Sequence, residues 1–177
     1  MNRSELARLS LVVVLFVVVQ DTVMLDLRIG GVHPDIMLLL PILAGIVGGP
    51  SRGAGIGFAT GLVADLFLPT PFGLSALVGC LVGFGVGLAT IALDRSAWWL
   101  VLVVALGASA LYEVTYGVLG SVLGQPQMLH VALARIVVVV AVTNVLLAIV
   151  AVRLVKWGMA EASTEGMPTS EAGIGAA

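Results

Sequence analysis

The sequence predicts an all-α polytopic membrane protein with six transmembrane helices, and three observations support that fold class. Of its 177 residues, 60% are hydrophobic and 10% are charged, whereas a soluble domain carries about 25% charged residues. The hydrophobic residues form long runs, and about 20 such residues cross a bilayer. Glycines also recur at every fourth position in two neighbouring runs, a spacing that lets helices pack closely in lipid. No stretch is left for a soluble domain.

Six apolar runs are interpreted in order as spans. The first follows Arg3 and Arg8 and ends at Gln20-Asp21 without a small-residue cleavage pattern, which predicts an uncleaved span rather than a signal peptide. Pro41 predicts a kink in the second span. The predicted spans are Leu9–Leu25, Val32–Gly48, Gly53–Leu68, Gly73–Leu93, Trp98–Gly120 and Leu129–Trp157.

The basic residues predict the orientation, because lysine and arginine concentrate in cytoplasmic loops. Only Arg28 falls in a loop opposite the two termini. The basic residues on the terminal side are Arg3, Arg8, Arg52, Arg95, Arg153 and Lys156. We therefore expect a cytoplasmic segment at 1–8, a transmembrane domain at 9–157 and a cytoplasmic tail at 158–177. The small and polar residues of that tail predict disorder.

Two lines of small residues predict a tightly packed antiparallel hairpin of the third and fourth spans. The first line is Gly53, Gly57 and Gly61, and the second is Ser75, Gly79, Gly83 and Gly87. Lines with this spacing allow close backbone approach, a main source of helix association in lipid. Asp65 ends the first line where Ser75 begins the second. We expect its carboxylate to bind Ser75 or a backbone N–H at the start of the fourth span.

Ionisable residues in the outer half of the spans predict a polar network. A charge at the centre of a membrane helix costs about 2.5–3.5 kcal/mol, so such residues usually face the bundle interior and find a partner. Glu113 and Arg135 have similar predicted depths on consecutive spans, which predicts an ion pair. Asp21 is expected to reach headgroups or water. Asp65, Glu113, Arg135 and Tyr116 form either a structural network, which we favour, or a polar pocket open to the outside.

Motifs for chemistry are missing from the sequence. It contains no His-Glu-x-x-His, no nucleophile elbow and no Walker loop. His33 and His130 lack carboxylate or cysteine neighbours at metal-ligand spacing, and the basic residues are scattered rather than patched. We therefore expect no enzymatic activity, no cofactor, no metal site and no nucleic-acid partner. Asn144, in the middle of the sixth span, predicts one hydrogen bond between helices.

Three short motifs follow one another along the second to fourth spans. They are Pro34-Asp35, the run Gly57-Phe58-x-x-Gly61-Leu62-x-x-Asp65, and Gly73-Leu74-Ser75-Ala76-Leu77. In order and spacing they resemble the bacterial rod shape-determining protein family MreD, over roughly Leu9 to Trp157. The positions that match the family pattern are Pro34, Asp35, Gly57, Gly61, Asp65 and Gly73.

The resemblance implies a multi-pass protein of the bacterial inner membrane, in the complex that elongates the peptidoglycan wall. Members of the family act with the single-span protein MreC, the actin-like MreB, the glycosyltransferase RodA and a penicillin-binding transpeptidase. Their fold is similar to the substrate-binding subunits of energy-coupling-factor vitamin transporters, with a cavity that opens outward. We expect a non-enzymatic scaffold that binds MreC, with the glycosyltransferase and transpeptidase as indirect partners.

Alternatives to the scaffold remain open. One is the substrate-binding subunit of a vitamin-type transporter, although the first span lacks the Ala-x-x-x-Ala pattern through which those proteins dock their energising partner. Another is an accessory subunit of an unrelated membrane complex. The protein could form a homo-oligomer in any of these roles. The valine-rich face Leu11–Val19 is a candidate surface for a partner helix, or it simply contacts lipid.

Overall fold

The computed structural model describes residues 3–24, 35–68, 70–91, 98–124 and 132–159, and within those ranges the chain is helical with no strand. The helices are α1 Arg3–Val19, α2 Leu39–Gly48, α3 Pro50–Asp65, α4 Leu74–Ala89, α5 Trp98–Val122 and α6 Ala132–Met159, and a π-helical segment, Gln20–Met24, extends α1. The all-α class is therefore confirmed. Pro34, Arg28, both histidines and residues 160–177 of the predicted tail lie outside the described residues.

Three helices are long and apolar enough to cross a membrane by length and composition, namely Arg3–Val23, Trp99–Val122 and Ala134–Met159. The others are shorter, with 10 residues in α2 and 16 in each of α3 and α4. At 1.5 Å per residue they reach about 15–24 Å, against about 30 Å of hydrocarbon. Six passes therefore stay a prediction. Large hydrophobic side chains such as Leu81 and Leu146 are exposed on the outside of the bundle, as lipid contact requires.

Helix α2 forms the centre of the bundle. Each residue from Leu39 to Ile46 is buried, and the helix packs against α3, α4, α5 and α6. A helix that is apolar on all sides belongs in a core. The kink predicted at Pro41 does not arise, because α2 begins two residues earlier. In the first helical turn the missing N–H of proline is not needed for an intrahelical hydrogen bond.

A single residue, Gly49, joins α2 to α3. Its φ of +81° lies in the left-handed region that favours glycine. The Gly49 N–H donates to the Gly45 carbonyl at 2.9 Å, and the Gly53 N–H donates to the Gly49 carbonyl at 2.9 Å. Pro50 then occupies the first position of α3, where its fixed φ suits a helix start. The chain therefore turns from α2 into α3 without a loop.

The backbones of α3 and α4 meet at their glycines. A Cβ added at Gly79 would lie 2.6 Å from the carbonyl oxygen of Gly57, and one added at Gly57 would overlap the Gly79 carbonyl. Gly53 meets Gly83 in the same way, and Gly61 meets the backbone of Ser75 and Ala76. The structure thus places the two lines of small residues face to face in antiparallel register, as their spacing predicts.

Helix α2 also joins this contact, which the spacing of the glycines does not predict. A Cβ added at Gly45 would lie 2.6 Å from the Gly83 carbonyl oxygen, and one added at Gly57 would lie 2.9 Å from the Cβ of Pro41. Three helices therefore converge on one glycine-lined seam. Because dispersion forces and close packing replace the hydrophobic effect in lipid, this seam is a main source of cohesion in the fold.

Helices α5 and α6 are joined by the hydrogen bond predicted for Asn144. Its side-chain nitrogen donates to the hydroxyl oxygen of Ser109 at 3.3 Å, and both residues are fully buried. Hydrogen bonds of this kind contribute on average about 0.6 kcal/mol in membrane proteins. The predicted link between helices is thus confirmed.

Candidate functional site

The tip of the α3–α4 hairpin is held by Asp65. This last residue of α3 is only 4% exposed, and its carboxylate accepts three backbone hydrogen bonds. The N–H of Gly73 donates to Oδ2 at 2.8 Å, that of Ser75 to Oδ1 at 3.1 Å and that of Ala76 to Oδ2 at 3.4 Å. Gly73 has a φ of +95°. A negative charge at a helix N-terminus satisfies unpaired N–H groups and opposes the helix dipole.

Beside this cap lies a small cavity lined in part by polar side chains, which we call the outer cavity. Its volume is about 120 Å³. Helices α2, α3, α4 and α5 enclose it, and its floor is the glycine seam at Gly57, Gly61 and Gly79. The polar side chains that line it are Asp35, Thr60, Ser75, Tyr112, Glu113 and Tyr116. Two carboxyl groups and two phenols therefore face one space inside an otherwise apolar bundle.

The tyrosines and Asp35 are positioned by local contacts. The rings of Tyr112 and Tyr116, one helical turn apart, stack with centroids 6.2 Å apart and planes 11° apart. The Tyr116 hydroxyl donates to the hydroxyl oxygen of Thr70 at 3.0 Å, which ties α5 to the connection between α3 and α4. Asp35 Oδ1 accepts the N–H of Met37 at 2.9 Å. This turn leads the chain into α2.

The structure brings together only part of the predicted cluster. Glu113 and Tyr116 both line the outer cavity, whereas Asp65 contributes through its hydrogen bond to the backbone of Ser75. Arg135 does not line the cavity, and its side chain is exposed. The predicted ion pair between Glu113 and Arg135 is wrong, because Glu113 lines the outer cavity whereas Arg135 lies at an exposed position on α6. A long side chain there extends outward rather than into the bundle.

Two acidic residues have positions that the sequence does not indicate. Asp35 is predicted only as a family-pattern position, although a carboxylate at the outer end of the second span has the same predicted depth as the other polar residues. Glu5 falls in the predicted cytoplasmic segment, yet it is buried in α1. Its Oε1 lies 3.2 Å from Nη1 of Arg52 in α3. The spacing of neither residue indicates its position, since that depends on which helices become neighbours.

The chemistry available at the outer cavity is hydrogen bonding. Among the residues that the structure describes, no group of three or more histidine, cysteine or carboxylate side chains could hold a metal ion. A volume of about 120 Å³ holds a few water molecules, each of which takes about 30 Å³ in the liquid. The cavity therefore suits waters or a very small polar group.

Charge reversal tests whether Glu113 lies in the outer cavity or pairs with Arg135. We expect Glu113→Arg to lower the yield of folded protein, because it places a long cation in the small cavity. Adding Arg135→Glu should not recover that yield, since effects at sites that share no contact are additive. The yield is measured by fluorescence-detected gel filtration of detergent extracts. If the double variant recovers the yield of folded protein, Glu113 and Arg135 do form an ion pair in the wild-type protein.

Comparisons with known proteins agree with the motifs. The family model described as rod shape-determining protein MreD matches residues 2–157, which include every described helix except the last two residues of α6. Comparisons with curated proteins and with solved structures give no significant match. The resemblance to energy-coupling-factor subunits therefore remains an expectation.

Proposed function

The chain belongs to the MreD family of rod shape-determining proteins, and from that premise we propose that it is a non-enzymatic scaffold in the bacterial inner membrane. Membership gives it a role in determining rod shape, and members of the family are structural membrane proteins. Our proposal adds that the bundle binds the transmembrane helix of an MreC-like single-span protein. The glycosyltransferase and transpeptidase of wall elongation would associate through that protein.

The observation that carries this proposal is the small size of the cavity that the polar side chains line inside the bundle. Pockets for small molecules measure about 300–1,000 Å³, and the outer cavity measures about 120 Å³. Polar groups that other membrane proteins use for substrate instead hold helices together here. Asp65 caps α4, and Asn144 joins α6 to α5. Because these interior polar groups hold helices together, we expect the protein to act by binding partners at its outer surface.

The membrane arrangement is part of the proposal. We place the N-terminal end of α1 and the C-terminal end of α6 in the cytoplasm, with six passes in between. Trp157, near the end of α6, is half exposed, as suits a tryptophan at a membrane interface. Helices α2, α3 and α4 are short for single passes, and their lengths are compatible with a locally thinned bilayer. The outer cavity would then open to the periplasm.

A second candidate is the substrate-binding subunit of a vitamin-type transporter. Its support is the outer cavity itself, where Asp35, Glu113 and Tyr116 offer hydrogen-bonding groups to a ligand from outside. Its volume counts against this candidate, because a vitamin of about 15–20 non-hydrogen atoms needs a pocket of the usual several hundred Å³.

Depletion of the protein from its own rod-shaped cells tests the proposed role. We expect the cells to widen and become round within a few generations, with wall synthesis continuing at undirected places. The measurement is cell width by microscopy, and a plasmid copy of the wild-type chain is the control that restores rods. Cells that keep their width after the protein has fallen below detection would refute the role.

A further inference from the structure

An apolar groove separates α1 from α3 and runs along most of α3. In the described part of the chain α1 packs against α6, and α3 lies across a space of about 630 Å³. We call this space the lateral groove. Its walls include Leu6, Val13 and Ile56. It is about five times larger than the outer cavity, and it lies on the side of α3 that α4 does not cover.

A second line of small residues follows α3 along this groove. Ser51, Gly55 and Ala59 are spaced four apart, are exposed, and line the lateral groove. A Cβ added at Gly55 would meet nothing within 4 Å, whereas one added at Gly57 would overlap the backbone of α4. Helix α3 therefore carries the same packing device on two faces. One face is filled by α4, and the other is open.

A buried carboxylate lies at one end of the groove. Glu5 is 4% exposed and lines the space. Its Oε1 is within ion-pair distance of Arg52, but the contact lacks hydrogen-bond geometry, so this oxygen receives no hydrogen bond. A buried carboxylate oxygen without a donor costs free energy that a donor from outside the chain would recover. The groove thus presents an acceptor at the end where α1 and α3 begin.

We propose that the lateral groove seats one membrane-spanning helix of a single-span partner. Small residues of that helix would face Ser51, Gly55 and Ala59, and a lysine or arginine at its cytoplasmic flank would donate to Glu5. Single-span helices carry such basic flanks on the cytoplasmic side. The inference rests on the proposed scaffold role and assigns its binding surface to this face, which includes only part of the α1 face suggested by the sequence.

A helix fits this groove better than a lipid chain does. Lining residues on α3 run from Ser51 to Val63, which is about 18 Å at 1.5 Å per residue. Small residues at every fourth position let a second backbone come close and form many contacts. A flexible acyl chain gains nothing from that spacing, because it has no helix backbone to bring close.

Photo-crosslinking in native membranes tests the groove. A photoreactive residue replaces Val14, at the rim of the groove, in the full chain. Leu146, exposed on α6 and away from the groove, is the control position. We expect an adduct at Val14 that mass spectrometry identifies as a single-span membrane protein, and none at Leu146. An adduct at Val14 with lipid only, or with a second copy of this chain, would overturn the inference.

A substitution at Gly55 provides the second arm. Gly55→Leu fills the open line and should reduce the Val14 adduct about tenfold, which corresponds to about 1.4 kcal/mol of binding free energy. Gly85→Leu is the matched control, because Gly85 on α4 also has open space around its Cβ position. Folding is checked by gel filtration for both variants. An unchanged adduct in Gly55→Leu would overturn the groove as the binding surface.

Affinity purification separates failure of the groove from failure of the scaffold. If the wild-type chain and Gly55→Leu retain the same single-span protein equally, the partner binds elsewhere and only the groove inference falls. If the wild-type chain retains no membrane protein, the scaffold role falls as well, and with it the groove.

Discussion

Replacing Asp65 with alanine should be the most damaging single change in the bundle. The substitution leaves the N–H groups of Gly73, Ser75 and Ala76 without their acceptor at the start of α4. Each hydrogen bond to a charged group contributes about 1.5–3 kcal/mol, and a buried donor without a partner adds a penalty. We expect a loss of at least about 3 kcal/mol in the free energy of unfolding, measured by denaturant titration in detergent micelles.

Two further variants test whether the stability loss in Asp65→Ala comes from the lost charge and hydrogen bonds at the start of α4. Asp65→Asn keeps one acceptor oxygen but loses the charge, so its stability should fall between those of the wild type and the alanine variant. Asp21→Ala removes an exposed carboxylate at the end of α1, and a surface change of this kind stays within about 0.5 kcal/mol. Equal stability of Asp65→Ala and Asp21→Ala would show that the cap does not hold the hairpin.

Replacing Gly83 with alanine should separate the three helices of the seam. The new Cβ would overlap the carbonyl oxygen of Gly53 and lie 3.2 Å from the Cβ of Pro41. The backbone of Gly53 and the rigid ring of Pro41 offer no flexible side chain that could move aside, so the helices must shift. Overpacking of a well-packed core costs about 1–3 kcal/mol. We expect the thermal unfolding midpoint in detergent to fall by several degrees, about 2–4 °C for each kcal/mol.

The matched control lies two residues along the same helix. Gly85 has nothing within 4 Å of its Cβ position, so Gly85→Ala changes no contact. Alanine favours a helix over glycine by about 1 kcal/mol, and this variant should be as stable as the wild type or slightly more so. If Gly83→Ala and Gly85→Ala unfold at the same temperature, the close contact between the helices does not stabilise the protein.

The sequence determines the hairpin because its information is local and periodic. Residues four apart share a helix face, so spacing alone pairs the line through Gly57 with the line through Gly79. The part played by Asp65 follows from its place at the end of one line. By contrast, the convergence of α2 on the seam through Gly45 depends on how non-neighbouring helices pack, and a span pattern carries no information about that.

The errors at the polar residues have a related physical origin. The predicted pairing of Glu113 with Arg135 rests on matching depths, but depth says nothing about the direction in which a side chain leaves its helix. In the structure Arg135 is exposed on α6, whereas Glu113 lines the outer cavity. Asp35 lies within the predicted second span, Val32–Gly48, but is predicted only as a family-pattern position; in the structure it precedes α2 and lines the outer cavity. The outer cavity therefore contains one carboxylate that the span pattern predicts and one that it does not.

Native mass spectrometry of the full chain, released from membranes with its associated proteins, tests the scaffold most directly. A scaffold predicts an assembly whose mass equals the 18.1 kDa chain plus at least one single-span membrane protein, with no additional mass from a small molecule. Detection of the chain without any protein partner but with a bound ligand of the mass of a vitamin would contradict the scaffold role and favour the transporter subunit.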